Sequence, residues 1–122
     1  MAITFFKSAT DFRKWLAKHH ATADELWVGF HKKATGKPSL TWPESVQQAL
    51  CYGWIDSIRG SLGATRYRIR FTPRRPGSIW SAVNIRHVRR LQEEGLMRPA
   101  GLAAFEAELF FNVNRITIRY QI

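Results

Sequence analysis

A chain of 122 residues with 45% hydrophobic and 23% charged residues has the composition of one globular domain rather than a disordered segment. Its single cysteine excludes an internal disulfide framework and a cysteine-only zinc site, and no apolar stretch is long enough to span a bilayer. Nineteen basic against nine acidic residues give a net charge of +10, which favours anionic partners and says nothing about fold.

The opening residues, MAITFFKSATDFRKW, reach charges by Lys7 and Asp11, so no signal peptide is expected and a cytoplasmic location follows. Residues 3–6 (ITFF) suit a short strand. Ser8 with Asp11 predicts a capped helix that places Phe12, Trp15, Leu16 and His19 on one face. Leu26, Val28 and Phe30 alternate with Trp27, Gly29 and His31, the period of a strand. Residues 34–40 read as a loop by their Gly, Pro and Ser content. Thr41-Trp42-Pro43-Glu44 is a strong helix start, and the helix it opens should bury Val46, Ala49 and Leu50 and stop near Gly53.

A turn-rich stretch is expected from Ser57 to Thr65. Residues 66–71 (RYRIRF) then alternate, with Arg66, Arg68 and Arg70 on one face and Tyr67, Ile69 and Phe71 on the other. Pro73 and Pro76 end this strand. A helix capped by Ser78 or Ser81 should run to about Glu94, with Gly95 as its stop, and Pro99 should start another through Leu109. Residues 114–122 alternate once more. The predicted fold is α+β over residues 1–122, a small mixed or antiparallel sheet with helices packed on one face.

Charge is distributed unevenly along this plan. All six lysines lie at or before Lys37, and twelve of thirteen arginines lie at or after Arg59. Between Arg59 and Arg98 ten arginines face two acids, Glu93 and Glu94. Guanidinium forks match phosphate and carboxylate, so the second half is suited to oriented anion contacts.

Other chemistries fit less well. Gly36-Lys37-Pro38-Ser39 puts proline where a phosphate-binding loop needs a backbone donor, and it reads as a turn. The four histidines show no ligand spacing, so no metal is expected, and no cofactor is implied. Cys51 falls near a helix C-terminus between apolar neighbours, where the dipole disfavours a thiolate, and reads as a small buried hydrophobe. Asp56, just ahead of the arginine-rich segment, should pair with one of its arginines, Arg70 or Arg74 foremost. Trp54 and Trp80 flank the arginine strand and are candidates for the wall of a site.

The runs ELWVGFHKK, TWPESVQQALCYGWIDSIRG and RYRIRFTPRRPGSIWSAVNIRHVRRLQEEGLMRPAGLAAF resemble the YdeI/OmpD-associated protein family, also labelled bacteriocin-protection proteins. The likeness covers roughly residues 3–106, and residues 107–122 form an atypical tail. It implies a bacterial α+β domain linked to antimicrobial-peptide resistance, with no defined catalytic residues to carry over. The matched positions include Trp42, Cys51, Trp54, Asp56, Arg70, Arg74, Arg75, Trp80, Ser81 and Asn84. Arg98 departs from the Thr usual there.

The expected function is a non-enzymatic binding module for an anionic small molecule or nucleic acid. Arg74 and Arg75 would clamp with Arg70 beside them, Trp54 or Trp80 would form a wall, and Asp56 and Asn84 would orient. In a nucleic-acid alternative, Arg66 and Arg68 would join Arg86, Arg89 and Arg90 in a tracking surface. An enzyme using Cys51 and Asp56, with the arginines as an anion hole, is the other alternative.

Overall fold

The computed structural model describes residues 2–75 and 80–106. Its elements, in chain order, are β1 (Thr4–Phe5), α1 (Ala9–His19), β2 (Leu26–His31), a single 3-10 turn (Lys33–Thr35), α2 (Trp42–Cys51), β3 (Trp54–Ser61), β4 (Arg66–Pro73) and α3 (Ala82–Glu93). Residues 99–106 are again helical. The fold is α+β. The sheet has the order β1-β2-β4-β3 and is mixed: β1 runs parallel to β2, and the other pairs are antiparallel.

Local chemistry sets the helix starts. Ser8 Oγ accepts the Asp11 amide at 3.2 Å ahead of α1. Thr41 and Glu44 form a reciprocal capping box at α2. Ser81 caps α3, its Oγ accepting the Asn84 amide at 3.1 Å. Gly53, with φ of 76°, reverses the chain between α2 and β3, a conformation that L side chains rarely adopt.

One face of the sheet makes the core. Val28, Phe30, Trp54, Ile69 and Phe71 meet Phe12 and Leu16 of α1, Leu50 of α2, and Val88 and Leu91 of α3, all at most 2% exposed. Burial on this scale is the main stabilising contribution in a domain of this size. Arg13 ties the helical layer together, donating from Nη1 to Gln48 Oε1 (2.8 Å) and from Nη2 to the Leu96 carbonyl (2.6 Å). Among the described residues no helix is long and apolar enough to cross a membrane.

The clearest difference from the sequence expectation is β3. Residues expected to be turn-rich, from Ser57 on, belong to a strand that continues to Ser61, with a register shift between Asp56 and Arg59. Ser and Gly have low strand propensity, yet β4 offers backbone partners on both sides of the shift, and pairing overrides composition. Gly60 also has a steric role: a Cβ there would lie 2.8 Å from Arg68 Nε. The helix expected from Pro99 is present as far as residue 106. Its remainder, the strand expected at 114–122, and Ser78 lie outside the described residues.

Candidate functional site: an arginine cleft

β4 leaves the sheet at Pro73, and the Arg74 amide donates to the Gly53 carbonyl at 2.9 Å. That bond fixes where the chain turns away. The Arg74 guanidinium then lies 3.9 Å from the ring centroid of Trp80, and the Trp80 ring meets Phe105 edge-on at 5.4 Å. A guanidinium held over an aromatic ring in this way is oriented by it. From Trp80 the chain enters α3 through its Ser81 cap.

These elements enclose a cleft of 500 Å³. β4 and its exit supply Arg70, Thr72, Arg74 and Arg75; β3 supplies Asp56 and Ser57; the first turn of α3 supplies Ser81 and Asn84. The amino end of a twelve-residue helix adds its positive dipole to three guanidinium groups. An oxyanion at this mouth would meet planar donors from the arginines and polar groups of the helix start.

Five of the seven expected ligand residues, Asp56, Arg70, Arg74, Arg75 and Asn84, line this one cleft. The two tryptophans expected to wall it do not. Trp54 is 1% exposed, because the pairing of β3 with β4 turns its side chain into the core. There its indole N–H donates to the His20 carbonyl at 3.2 Å, and its ring meets Trp15 edge-on. Trp80 is buried beneath Arg74 and positions that side chain instead of facing the cleft.

Asp56 also differs from expectation. Its Oδ2 accepts a 3.0 Å hydrogen bond from Trp42 Nε1, while Arg70 pairs with Glu25 through both Nε and Nη2 at 2.7 Å. In the sequence Trp42 has a helix start and a family match but no site role, because helical period puts it on the face of Val46 and Ala49, which are buried. It occupies the first turn of α2, where the helix end overhangs the surface, and remains 46% exposed.

A second cleft adjoins the first, and a third adjoins the second. One of 350 Å³ lies between the starts of α2 and α3, bordered by Trp42, Pro43, Val46, Val83 and His87 together with Asp56, Ser81 and Asn84. Another of 610 Å³ lies on the far side of Trp42 and Pro43. Its wall includes Lys32, Lys33, Lys37, Arg59 and Tyr67 and, among the described residues, no carboxylate. Gly36, with φ of 69°, closes the 3-10 turn of Lys33–Thr35, and Lys32, Lys33 and Lys37 around it border this cleft.

The arginine comb is real but occupied. Arg66, Arg68 and Arg70 share the sheet face opposite the core. Arg66 lies 5.7 Å from the Phe5 ring and Arg68 4.8 Å from the Trp27 ring. Arg86, Arg89 and Arg90 are exposed on α3, in the helical layer, where Arg90 donates to Gln47 of α2 (2.7 Å) and pairs with Glu94 (3.2 Å). The structure does not bring these two groups of arginines onto one surface, because the sheet stands between them.

Cys51 has no exposed surface, and burial pushes its thiol up, against the opposing hydrogen bond and charge of Arg13. A nucleophilic cysteine needs access and a lowered pKa, and this one has neither. Among the described residues no three His, Cys, Asp or Glu side chains cluster as a metal site requires.

Comparison with known proteins places the chain in a family and goes no further. No curated protein and no solved structure matches it. The model of one family, described as "Domain of unknown function (DUF8412)", matches residues 4–104, a span that takes in every residue named on the walls of the three clefts. The chain belongs to the DUF8412 family.

Proposed function

We propose that this protein is a non-enzymatic, cytoplasmic binding module that holds an anionic group, phosphate or carboxylate, in the arginine cleft. The observation that carries the proposal is the convergence of Arg70, Arg74 and Arg75 on the first turn of α3 around 500 Å³ of open space. Arg74 is held by Trp80 and Arg70 by Glu25, so two of the three donors are oriented before any ligand arrives. A catalytic role for Cys51 has no comparable support, since its thiol is buried. If the resemblance to YdeI/OmpD-associated proteins extends to physiology, the ligand belongs to bacterial stress or antimicrobial-peptide resistance.

Isothermal titration with inorganic phosphate and with citrate tests this directly. Binding should be lost or reduced at least about tenfold in an Arg74→Ala/Arg75→Ala variant, as expected for removing charge-assisted hydrogen bonds. Equal affinity in native protein and variant would remove the cleft from consideration.

A further inference from the structure

The arginine cleft is one end of a longer feature. Asp56, Ser81 and Asn84 border both it and the 350 Å³ cleft, while Trp42 and Pro43 border both that cleft and the 610 Å³ one. Trp42 therefore stands between two cationic ends. Arg70, Arg74 and Arg75 lie on one side; Lys32, Lys33, Lys37 and Arg59 lie on the other. Among the described residues of all three walls Asp56 is the sole carboxylate, and its Oδ2 is engaged by the Trp42 indole.

The lysine end is shaped in advance. The Lys32 amide donates to the Thr65 carbonyl at 2.9 Å, Thr35 Oγ1 donates to the Lys32 carbonyl at 2.8 Å, and the Lys37 amide donates to Thr35 Oγ1 at 3.2 Å. Arg59 lies 4.1 Å from the Tyr67 centroid, and Tyr67 in turn stacks on Phe30 at 4.9 Å. The Arg59 guanidinium is thereby held over an aromatic ring that is itself stacked on a core side chain.

A lone phosphate or a short carboxylate engages one end and leaves the other idle. Cations at both ends with an exposed flat indole between them match a chain of phosphates carrying flat rings, for which base stacking and backbone charge act together. An acidic peptide would satisfy the cations but brings no ring at each unit to the indole. We infer that the three clefts form one groove for single-stranded nucleic acid. One base stacks on Trp42, and the flanking phosphates are held by the lysine turn with Arg59 and by the arginine cleft. This inference rests on the arginine cleft being an anion site and adds its ligand class. It also moves the nucleic-acid track away from the Arg66–Arg68 comb.

Fluorescence anisotropy with a labelled octathymidylate over a range of salt, beside calorimetry with inorganic phosphate, tests the groove. The octamer should bind with a log–log salt slope of about −3 to −5, at roughly −0.7 per phosphate neutralised. Lys32→Gln/Lys33→Gln/Lys37→Gln, at exposed positions, should reduce that slope by about 2, while phosphate binding keeps its dependence on Arg74 and Arg75. Trp42→Ala should weaken octamer binding about fivefold or more, and Trp42→Phe should restore most of it. Arg66→Ala/Arg68→Ala should change octamer affinity less than about twofold, since neither side chain borders the groove.

Three results would overturn the groove. The octamer binding no tighter than phosphate, with a slope near one, would confine the ligand to the arginine cleft. A slope reduced by the comb variant and indifferent to the lysine variant would place the track on the open sheet face. Equal binding of a duplex of the same length would remove the single strand and its stacked base. All three leave the anion site standing, provided that phosphate binding still depends on Arg74 and Arg75. Loss of that dependence would remove the site itself.

Discussion

Along β4, Arg66, Arg68 and Arg70 emerge from a flat sheet face at every second residue, and each meets a group already there: Phe5, Trp27 and Glu25. Just past the strand, Arg74 and Arg75 leave the ladder and border a cleft with the start of α3. The two sets are neighbours in sequence and alike in chemistry, but they differ in what surrounds them. A regular strand spaces its side chains evenly and exposes them to a plane. A chain that has left the strand can bring its donors together with those of another element, which is what a concave site requires.

Removing the aromatic beneath each set is the strongest way to break this contrast. Trp80→Ala deletes a buried ring between Arg74 and Phe105 and should cost about 3–5 kcal/mol of stability, read from urea unfolding. Trp27→Ala removes a half-buried ring under Arg68 and should cost only about 1 kcal/mol. Equal costs would show that the comb is as firmly built as the cleft.

Affinity sharpens the same comparison. Arg74→Ala/Arg75→Ala should lower phosphate affinity by about tenfold to a hundredfold, whereas Arg66→Ala/Arg68→Ala should change it less than about twofold. Calorimetry on both variants at one salt concentration decides between them.

Cys51 offers a test of the core behind the cleft. Burial pushes its thiol up, so the folded chain favours the neutral form. Below the ordinary thiol range both folded and unfolded chains keep the proton, and nothing is lost. As pH rises through and above that range the unfolded chain ionises first, and stability falls. Cys51→Ala should therefore cost about 1–2 kcal/mol near neutrality, and its deficit relative to native protein should shrink on the alkaline side. Native protein reacting with a thiol reagent as fast as unfolded protein would contradict the buried placement.

The smallest expected effect is at the boundary between the two sets. Arg70 belongs to the comb by register and to the cleft by position, with Glu25 as its partner. Both members of that pair are at least a third exposed, so Glu25→Gln should change stability by less than about 1 kcal/mol. Freed of its countercharge, Arg70 should then raise phosphate affinity roughly twofold to threefold at low salt. Unchanged affinity would assign Arg70 to the comb alone.

Much of this architecture is legible from residues a few positions apart. Thr41 with Glu44, and Ser81 before an apolar period, mark helix starts because capping is a local hydrogen bond. RYRIRF declares its two faces because side chains alternate along any strand. Ser57–Ser61 was not legible as a strand, since its own residues carry little strand signal and its pairing is supplied by the neighbouring β4. Trp54 and Trp80 looked alike in sequence as aromatic flanks of an arginine run. Which way each ring points was settled by the register Trp54↔Pro73 and by the approach of Phe105, both contacts between distant segments.

The sequence by itself determined the α+β class, most element boundaries and the concentration of arginine that makes an anion the expected ligand, because propensity, capping and net charge act over short range or as totals. Only the tertiary structure decided that Arg70, Arg74, Arg75, Asp56 and Asn84 share one cleft, that Trp42 stands exposed beside it, and that the lysine turn of residues 32–37 continues the same surface. The strand end, the bulged edge strand and two helix starts contribute to that surface from separate parts of the chain. Their convergence follows from how the sheet pairs and how the helices bury their apolar faces on it, and those are properties of the whole packed core.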